Sequence, residues 1–473
     1  MIKQPCPALA VVLACSALLG GCVNLAPEDR RPELPVAQAY DGEYRPDGRV
    51  VASQLGWREY FNDPQLKLLL ATAIENNRDL VAATARIEQA RAQYRIQDSQ
   101  RLPQTDASGS AVRTRTPVNA GAAGTGGGSV TVDNYNVGVA VTSFELDFWG
   151  RVRNLSEAAR ANYLATLSAQ RAFYLSLIGD VASTYLDLIE TGEQIAFAEA
   201  TLQSRTEGLR IAKLRLDAGV TSALDYRQAE VLLTQAQQTL GAQRLSQAQS
   251  RNRLTVLVGG RLPAELPDSL PLEDQQFAGP LAAGLPSDLL LNRPDIVAAE
   301  QSLTAARANI GAARAAFFPR ISLTGSGGLT SDSLNDLFSG DNFTWSFGPS
   351  ISLPIFDWGA READLGLARA LETEAVANYD KAVQTAFREV SDALAGRRWL
   401  GEQVDTARRT VAAQEATARI ARLRYREGVV SYLEVLDAER NLFSAQQALL
   451  ELIRANDQNQ VSLFIALGGG LKP

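Results

Sequence analysis

Two kinds of hydrophobic period alternate along this chain. Residues 64–102 hold a helical spacing with no proline between Pro64 and Pro103. Asp63 is placed to cap that helix and Pro64 to occupy its first turn. Pro103 stops it. Residues 104–116 then alternate small or apolar against polar, and 135–148 alternate again, with Val137, Val139 and Val141 on one face. The Gly-, Ser-, Ala- and Thr-rich stretch 117–134 between them is expected as a flexible tip, so 104–148 predicts a β-hairpin. A second helical run, 151–218, is free of proline and ends at Gly219. A third, 223–258, places Ala229, Leu233, Ala236 and Leu240 at spacings of four, three and four. That stripe fits either a coiled-coil-like seam with close approach or an ordinary amphipathic pair.

The same succession then recurs. Residues 212–230 (AKLRLDAGVTSALDYRQAE) align with 421–439 (ARLRYREGVVSYLEVLDAE), and Trp149-Gly150 with Trp358-Gly359, at an offset of 209. Upstream of the hairpin the offset is 216, with Ala90-Arg91-Ala92 and Pro103 matching Ala306-Arg307-Ala308 and Pro319. The difference of seven falls in the Gly-rich tip, as an insertion in a loop does. Copies of about 200 residues are too long for a solenoid repeat. They predict internal pseudo-symmetry, with a first repeat at 63–260, a linker at 261–289 and a second repeat at 290–473. Each repeat reads as helix, hairpin, long helix, helix. The second hairpin, 320–357, puts Phe343, Trp345, Phe347, Ile351 and Leu353 on one face, with Thr344, Ser346, Ser350 and Ser352 as their neighbours. Such a face fits a sheet packed on a soluble core, or a barrel strand with lipid on one side and water on the other.

Helix lengths add a constraint. The runs 151–218 and 360–427 each span roughly 100 Å, while the two shorter helices of a repeat span roughly 110 Å if stacked end to end. One long helix beside two short ones describes a wall rather than a globule. The expected fold is mainly α with a small β part.

Composition removes most chemistry. The chain has no His, three Cys, and Met at position 1 only. Zinc sites of Cys/His type and nucleophile–His systems are excluded, and no P-loop or dinucleotide fingerprint occurs. The formal charge of −7, without a basic run, argues against nucleic acid. No enzyme, cofactor or metal site is expected. Nothing after residue 22 offers 18 consecutive apolar residues, so any membrane crossing by the mature chain needs β-strands. Residues 1–21 have the charged start and short apolar run of a signal peptide. They end in Leu19-Gly20-Gly21-Cys22, a lipobox-like pattern that makes Cys22 the expected site of covalent lipid, with Cys15 as a weaker candidate. Residues 22–62, rich in Pro and charge, read as an extended, lipidated tether.

The lipobox, Asn292-Arg293-Pro294-Asp295-Ile296, Ala316-Phe317-Phe318-Pro319, Leu353-Pro354-Ile355-Phe356-Asp357 and the run from Arg424 to Asp437 together resemble the TolC-type outer-membrane efflux channels, in their lipid-anchored OprM/NodT branch. The resemblance covers essentially everything from Cys22 to Gly469. It implies a homotrimer with one shared 12-stranded barrel in the outer membrane and an α-barrel tunnel in the periplasm. It implies a tripartite pump for drugs or other small molecules, with a periplasmic adaptor and an inner-membrane RND-type transporter. A type I protein-secretion duct and a metal-ion efflux duct share the fold; a structural periplasmic coiled-coil lipoprotein is the reading from another class.

Residue roles follow from the resemblance. Phe343, Trp345 and Phe347 are expected to face outer-membrane lipid, and Asp106, Thr344 and Ser346 the lumen. The turns at Gly219, Val220 and Ser222 and at Gly428, Val429 and Ser431 are expected to dock the adaptor. Asp225, Tyr425, Glu434 and Asp437 are expected at the periplasmic aperture, with an Asp225–Tyr425 hydrogen bond between the hairpins. Glu434 and Asp437, three residues apart, share a helix face, so threefold symmetry makes six carboxylates. Val430 stands where the family has a gating Arg.

Overall fold

A computed structural model describes residues 23–28, 30–33, 35–44, 48–118, 128–284 and 286–472. Cys22, Cys15 and residues 119–127 of the Gly-rich tip, including Gly126, lie outside the described residues. The main elements are α1 (Pro64–Asn76), α2 (Arg78–Ser99), β1 (Asp106–Val118), β2 (Gly128–Glu145), α3 (Arg151–Asp217) and α4 (Ala223–Leu257). The second set is α5 (Pro294–Ala315), β3 (Arg320–Ser331), β4 (Phe343–Ser352), α6 (Ala360–Arg426) and α7 (Tyr432–Ala466). The chain forms two compact units, and each draws on both repeats. One comprises residues up to Pro32, Ile87–Thr166 and Ala299–Asn378; the other comprises Glu33–Arg86, Leu167–Ala298 and Tyr379–Pro473.

The first unit holds a four-stranded antiparallel sheet in the order β1-β2-β3-β4. Its register sorts the two faces. Ala107, Val139, Gly327 and Trp345 lie in one row, and Gly109, Val137, Leu329 and Phe343 in a parallel row on the same face. Asp106, Ala140, Ser326 and Ser346 form a row of the opposite face, with Ser108, Gly138, Gly328 and Thr344 beside it. Gly327 and Gly325 sit opposite Trp345 and Phe347, and the edge of the Phe343 ring reaches Gly327. The apolar face stops at the Ala111–Tyr135 pair. The next pair on that face is Arg113–Asp133, an ion pair of 2.8 Å.

The helices of this unit pack on one another through small residues. Ala158 and Ala161 of α3 bury against Ala305 and Ala308 of α5, which lets the backbones approach closely. Gly150, at φ 73°, turns the chain from β2 into α3, and the Asp147 carboxylate accepts from the Arg153 amide at 2.7 Å to cap the helix start.

The second unit is built around aromatic stacking. Tyr60 lies on Phe464 at 3.9 Å between ring centroids, with Phe61 and Phe277 edge-on or tilted around them. Asp63 caps α1 by accepting from the Gln65 and Leu66 amides, and its other oxygen accepts from Tyr185, Leu270 and Gln275. The apolar stretch of α3 belongs to this core: Leu177, Ile178, Val181, Ala182, Tyr185 and Leu186 are all buried.

Three expectations need correction. The helix expected over 64–102 breaks at Asn77, which accepts from the Leu80 amide to start α2 and donates to the Leu257 carbonyl. Gly259 makes that possible, because a Cβ there would run into the Asn76 carbonyl. The tip expected over 117–134 is shorter, since Ser129–Asn134 pair with Val112–Pro117. Finally, residues 22–62 are not an extended tether along their length. Val50 and Val51 pair in parallel with Leu281 and Ala282, and Trp57, Tyr60 and Phe61 are buried in the second unit.

Candidate functional site

Two surfaces are candidates for function: the sheet of the first unit and the paired helical turns of the second. On the sheet, Phe343, Trp345 and Phe347 stand together on the apolar face at 62, 73 and 65 % exposure, so nothing among the described residues covers them. Asp106, Thr344 and Ser346 share the opposite, polar face. β1 and β4 each leave an unpaired edge. Long open edges recruit other strands, and four strands are too few to close a membrane barrel, the smallest of which have about eight.

The first described residues dock at the foot of this sheet. The Val23 amide donates to the Phe148 carbonyl at 3.3 Å, and Arg314 donates to the Leu25 carbonyl at 2.9 Å. The position after Cys22 is therefore fixed where β2 turns into α3.

The two helical turns share one backbone device. Gly219 and Gly428 both have φ 73°. The Val220 amide reaches the Arg215 carbonyl and the Gly219 amide that of Leu216; Val429 and Gly428 do the same with Arg424 and Tyr425. These are Schellman ends, in which left-handed Gly satisfies the last helical carbonyls. Val220 and Val429 are exposed, and a Cβ on either Gly would meet open space. Ser222 caps α4 by accepting from the Asp225 amide, and the Asp225 carboxylate accepts from the Ser222 amide and, at 2.5 Å, from the Thr221 hydroxyl. Those bonds, the Thr221 hydroxyl first, hold the Asp225 carboxyl below the usual range. Ser431 precedes α7 without a side-chain cap.

The expected Asp225–Tyr425 bond is not made within one chain, because Asp225 is engaged in its own helix cap. The Tyr425 hydroxyl accepts instead from Arg215, whose guanidinium also lies 5.0 Å over the Tyr425 ring. Tyr425 packs on Tyr432 at 5.0 Å, and Tyr432 fills the notch left by Gly208 on α3. The Glu434–Asp437 pair is not a bare acidic surface either. Arg424 donates to Glu434 at 2.6 Å, and Arg440 pairs with Asp437 at 3.1 Å.

Sequence reasoning missed the residue at the centre of this region, Glu439. It lies between Arg205 of α3, at 3.4 Å, and Arg422 of α6, at 3.0 Å, and so ties α3, α6 and α7 together. Burial lowers the Arg205 guanidinium from its ordinary value, while Glu439 opposes that shift. The internal repeat held a signal. Its counterpart Glu230 is half-exposed and pairs locally with Arg227, whereas Gln414 stands in place of Arg205.

A sheet with segregated faces, and long helices that end in Gly turns, fit a channel that crosses a membrane with β-strands. The family model described as "Outer membrane efflux protein" matches residues 69–260 and 285–469, and the chain belongs to that family. It is 46 % identical over 462 residues to the solvent efflux pump outer membrane protein SrpC of Pseudomonas putida, covering 96 % of each chain. It is 40 % identical over 474 residues to the cation efflux system protein CusC of Escherichia coli strain K12, covering 99 % of this chain and all of the relative. Among solved structures, the open-state MtrE outer membrane channel of Neisseria gonorrhoeae matches with a TM-score of 0.85 and 38 % identity, over 95 % of this chain and 99 % of that one. The protein is an outer-membrane exit duct of a tripartite efflux pump, which works with an adaptor and an inner-membrane transporter.

Proposed function

We propose that three copies close one 12-stranded barrel and export small organic molecules through it. The observation that supports this most is the sheet itself: four strands, two free edges, an aromatic apolar face and an opposite polar face. In this reading the apolar face meets lipid, the polar face lines the lumen, and the Arg113–Asp133 pair marks the aqueous side of the lipid band. Cys22 carries the lipid. Val23, pinned to the Phe148 carbonyl at the foot of the sheet, would hold that anchor at the membrane's inner rim. The turns at Gly219 and Gly428 dock the adaptor, and the region around Tyr425, Glu434, Asp437 and Asp225 narrows the periplasmic entrance.

SrpC, a solvent pump component, supports small organic cargo. The likeness to CusC favours a second reading, cation export. The chain's lack of His, and of Met beyond position 1, leaves soft metal ligands scarce along the path and favours the organic reading. Deletion of the gene tests both. Organic-solvent and dye accumulation should rise, and metal-salt tolerance should hold. The native chain should reverse the effect, whereas Gly219→Trp and Gly428→Trp should not, although they still assemble. Lost metal tolerance with normal dye export would favour the cation reading. Unchanged accumulation of both classes would defeat the duct assignment.

A further inference from the structure

The internal repeat exposes half of a contact whose other half is visible within the chain. In the first repeat, Trp149 stacks on Phe318 at 4.5 Å between rings, and its indole N–H donates to the Pro319 carbonyl at 3.0 Å. Trp149 follows β2, and Phe318-Pro319 precede β3, the strand paired with β2. The counterpart of Trp149 is Trp358, and the counterparts of Phe318 and Pro319 are Leu102 and Pro103. Neither counterpart has found the other. Trp358 is 89 % exposed, and Leu102 is 69 % exposed. Trp358 follows β4 and Leu102 precedes β1, and these two strands carry the unpaired edges of the sheet.

The backbone around Trp358 agrees. Trp358 takes φ 55°, a left-handed conformation that is costly for a bulky residue. Gly359 repeats the positive φ of Gly150, yet a Cβ at Gly359 would meet nothing within 4 Å, whereas one at Gly150 would meet Asn154 and Val23. The chemistry of the two junctions also differs in a telling way. The junction within the chain holds ions: Glu145 pairs with Arg151 and Arg320. The counterparts of those three residues are Pro354, Ala360 and Gln104. Around Trp358 stand Ile355 and Phe356, exposed at 89 and 73 %, beside the local Asp357–Arg361 ion pair at 2.6 Å.

We infer that Trp358 of one copy packs on Leu102 and Pro103 of the next copy, repeating between chains the contact that Trp149 makes within one. The occupant is a second copy of this chain, because its own sequence supplies the complementary half and the free edges of β4 and β1 would meet at the same place. The contact is head-to-tail, so it closes a ring only by returning to the first copy. The inference rests on the proposed assembly of three copies and assigns its contact residues.

The test is photo-crosslinking of the full chain in cells, with p-benzoylphenylalanine placed at position 358 and, separately, at position 102. Copy number is measured independently on each variant by mass photometry in detergent. The expected result is a dimer band from both variants, with the crosslink from 358 mapping to the peptide around 102–103 and the reciprocal crosslink from 102 to that around 358. A trimer by mass with only a lipid adduct at 358, or with a crosslink elsewhere, would overturn the inference and leave the assembly standing. A particle that is not a trimer would overturn the assembly itself. An exposed position is chosen so that folding survives; the same label at 149 should give no dimer.

Discussion

Replacing Glu439 by Gln is the sharpest perturbation of the helical turns. Arg205 has a side chain only 4 % exposed, and Glu439 is 14 % exposed. Removing one partner of a buried ion pair leaves the other charge uncompensated, which costs about 3–5 kcal/mol. Arg422 is half-exposed and regains water, so the lower end applies here, about 3 kcal/mol. Gln keeps the shape, so α7 remains packed through Val435 and Ala438 on Ala418 and Ala421. What is lost is the charged tie that holds α6 and α7 to α3. If the periplasmic entrance opens by separating these helices, the closed state loses that tie and the open state does not. Even a third of the cost, about 1 kcal/mol, raises the open fraction about fivefold. Planar-bilayer recording on purified protein reads this directly. Glu439→Gln should raise mean conductance several-fold, Glu439→Asp should restore part of the closed behaviour, and Glu230→Gln should leave conductance native because Glu230 pairs only with its neighbour Arg227. Native conductance in Glu439→Gln, or an equal rise in Glu230→Gln, would refute the reasoning.

Three other outcomes are expected. Cys22→Ala should abolish metabolic labelling with palmitate; label that persists would move the anchor to Cys15. Trp345→Arg should cost about 2–4 kcal/mol in urea refolding into vesicles, while Ser346→Arg, one residue on but on the polar face, should be tolerated; equal costs would mean the faces are not split between lipid and water. Burial in the second unit pushes the Asp457 carboxyl up to about 7, with Asn456 and Arg408 opposing weakly and Tyr60 close by. A raised folded-state value means that stability is complete below about pH 4, falls as pH rises towards 7, and stays reduced above it, by roughly 4 kcal/mol. Asp457→Asn should therefore raise the thermal midpoint at pH 8 and leave it unchanged at pH 4; a gain independent of pH would assign the effect to packing.

Long periods were legible in the sequence and short exceptions were not. The 67-residue helices α3 and α6 follow from proline-free apolar spacing between Gly150 and Gly219 and between Gly359 and Gly428. The alternation around Phe343–Phe347 gives the sheet its faces without any knowledge of pairing. Composition misled where it was read in bulk. Ser129–Asn134 lie beside a Gly-rich tip, yet Val130 and Val132 alternate as strand residues do, and they pair. Asn77 looked like one polar residue in a helix; only its contact with the Leu257 carbonyl, 180 residues away, makes it a break and a cap. Trp57, Tyr60 and Phe61 stood in a Pro-rich, charged context that suggests a tether, but aromatic burial against Phe464 and Phe277 outweighs it. Arg215 and Arg205, which meet Tyr425 and Glu439, lie on α3 more than 200 residues upstream, so no local pattern could pair them. Comparing the two repeats position by position would have marked Glu439 as the odd one, because its surroundings differ from those of Glu230.

In the proposed assembly this chain becomes a channel only by sharing its sheet with other copies. Single-particle cryo-electron microscopy of the purified protein in lipid nanodiscs tests it most directly. The expected particle has three copies around one axis, twelve strands in a single closed barrel within the lipid, β4 of each copy hydrogen-bonded to β1 of the next, and Phe343, Trp345 and Phe347 facing the acyl chains. A different number of copies, separate four-stranded sheets, or a sheet whose aromatic face points into the lumen would contradict it.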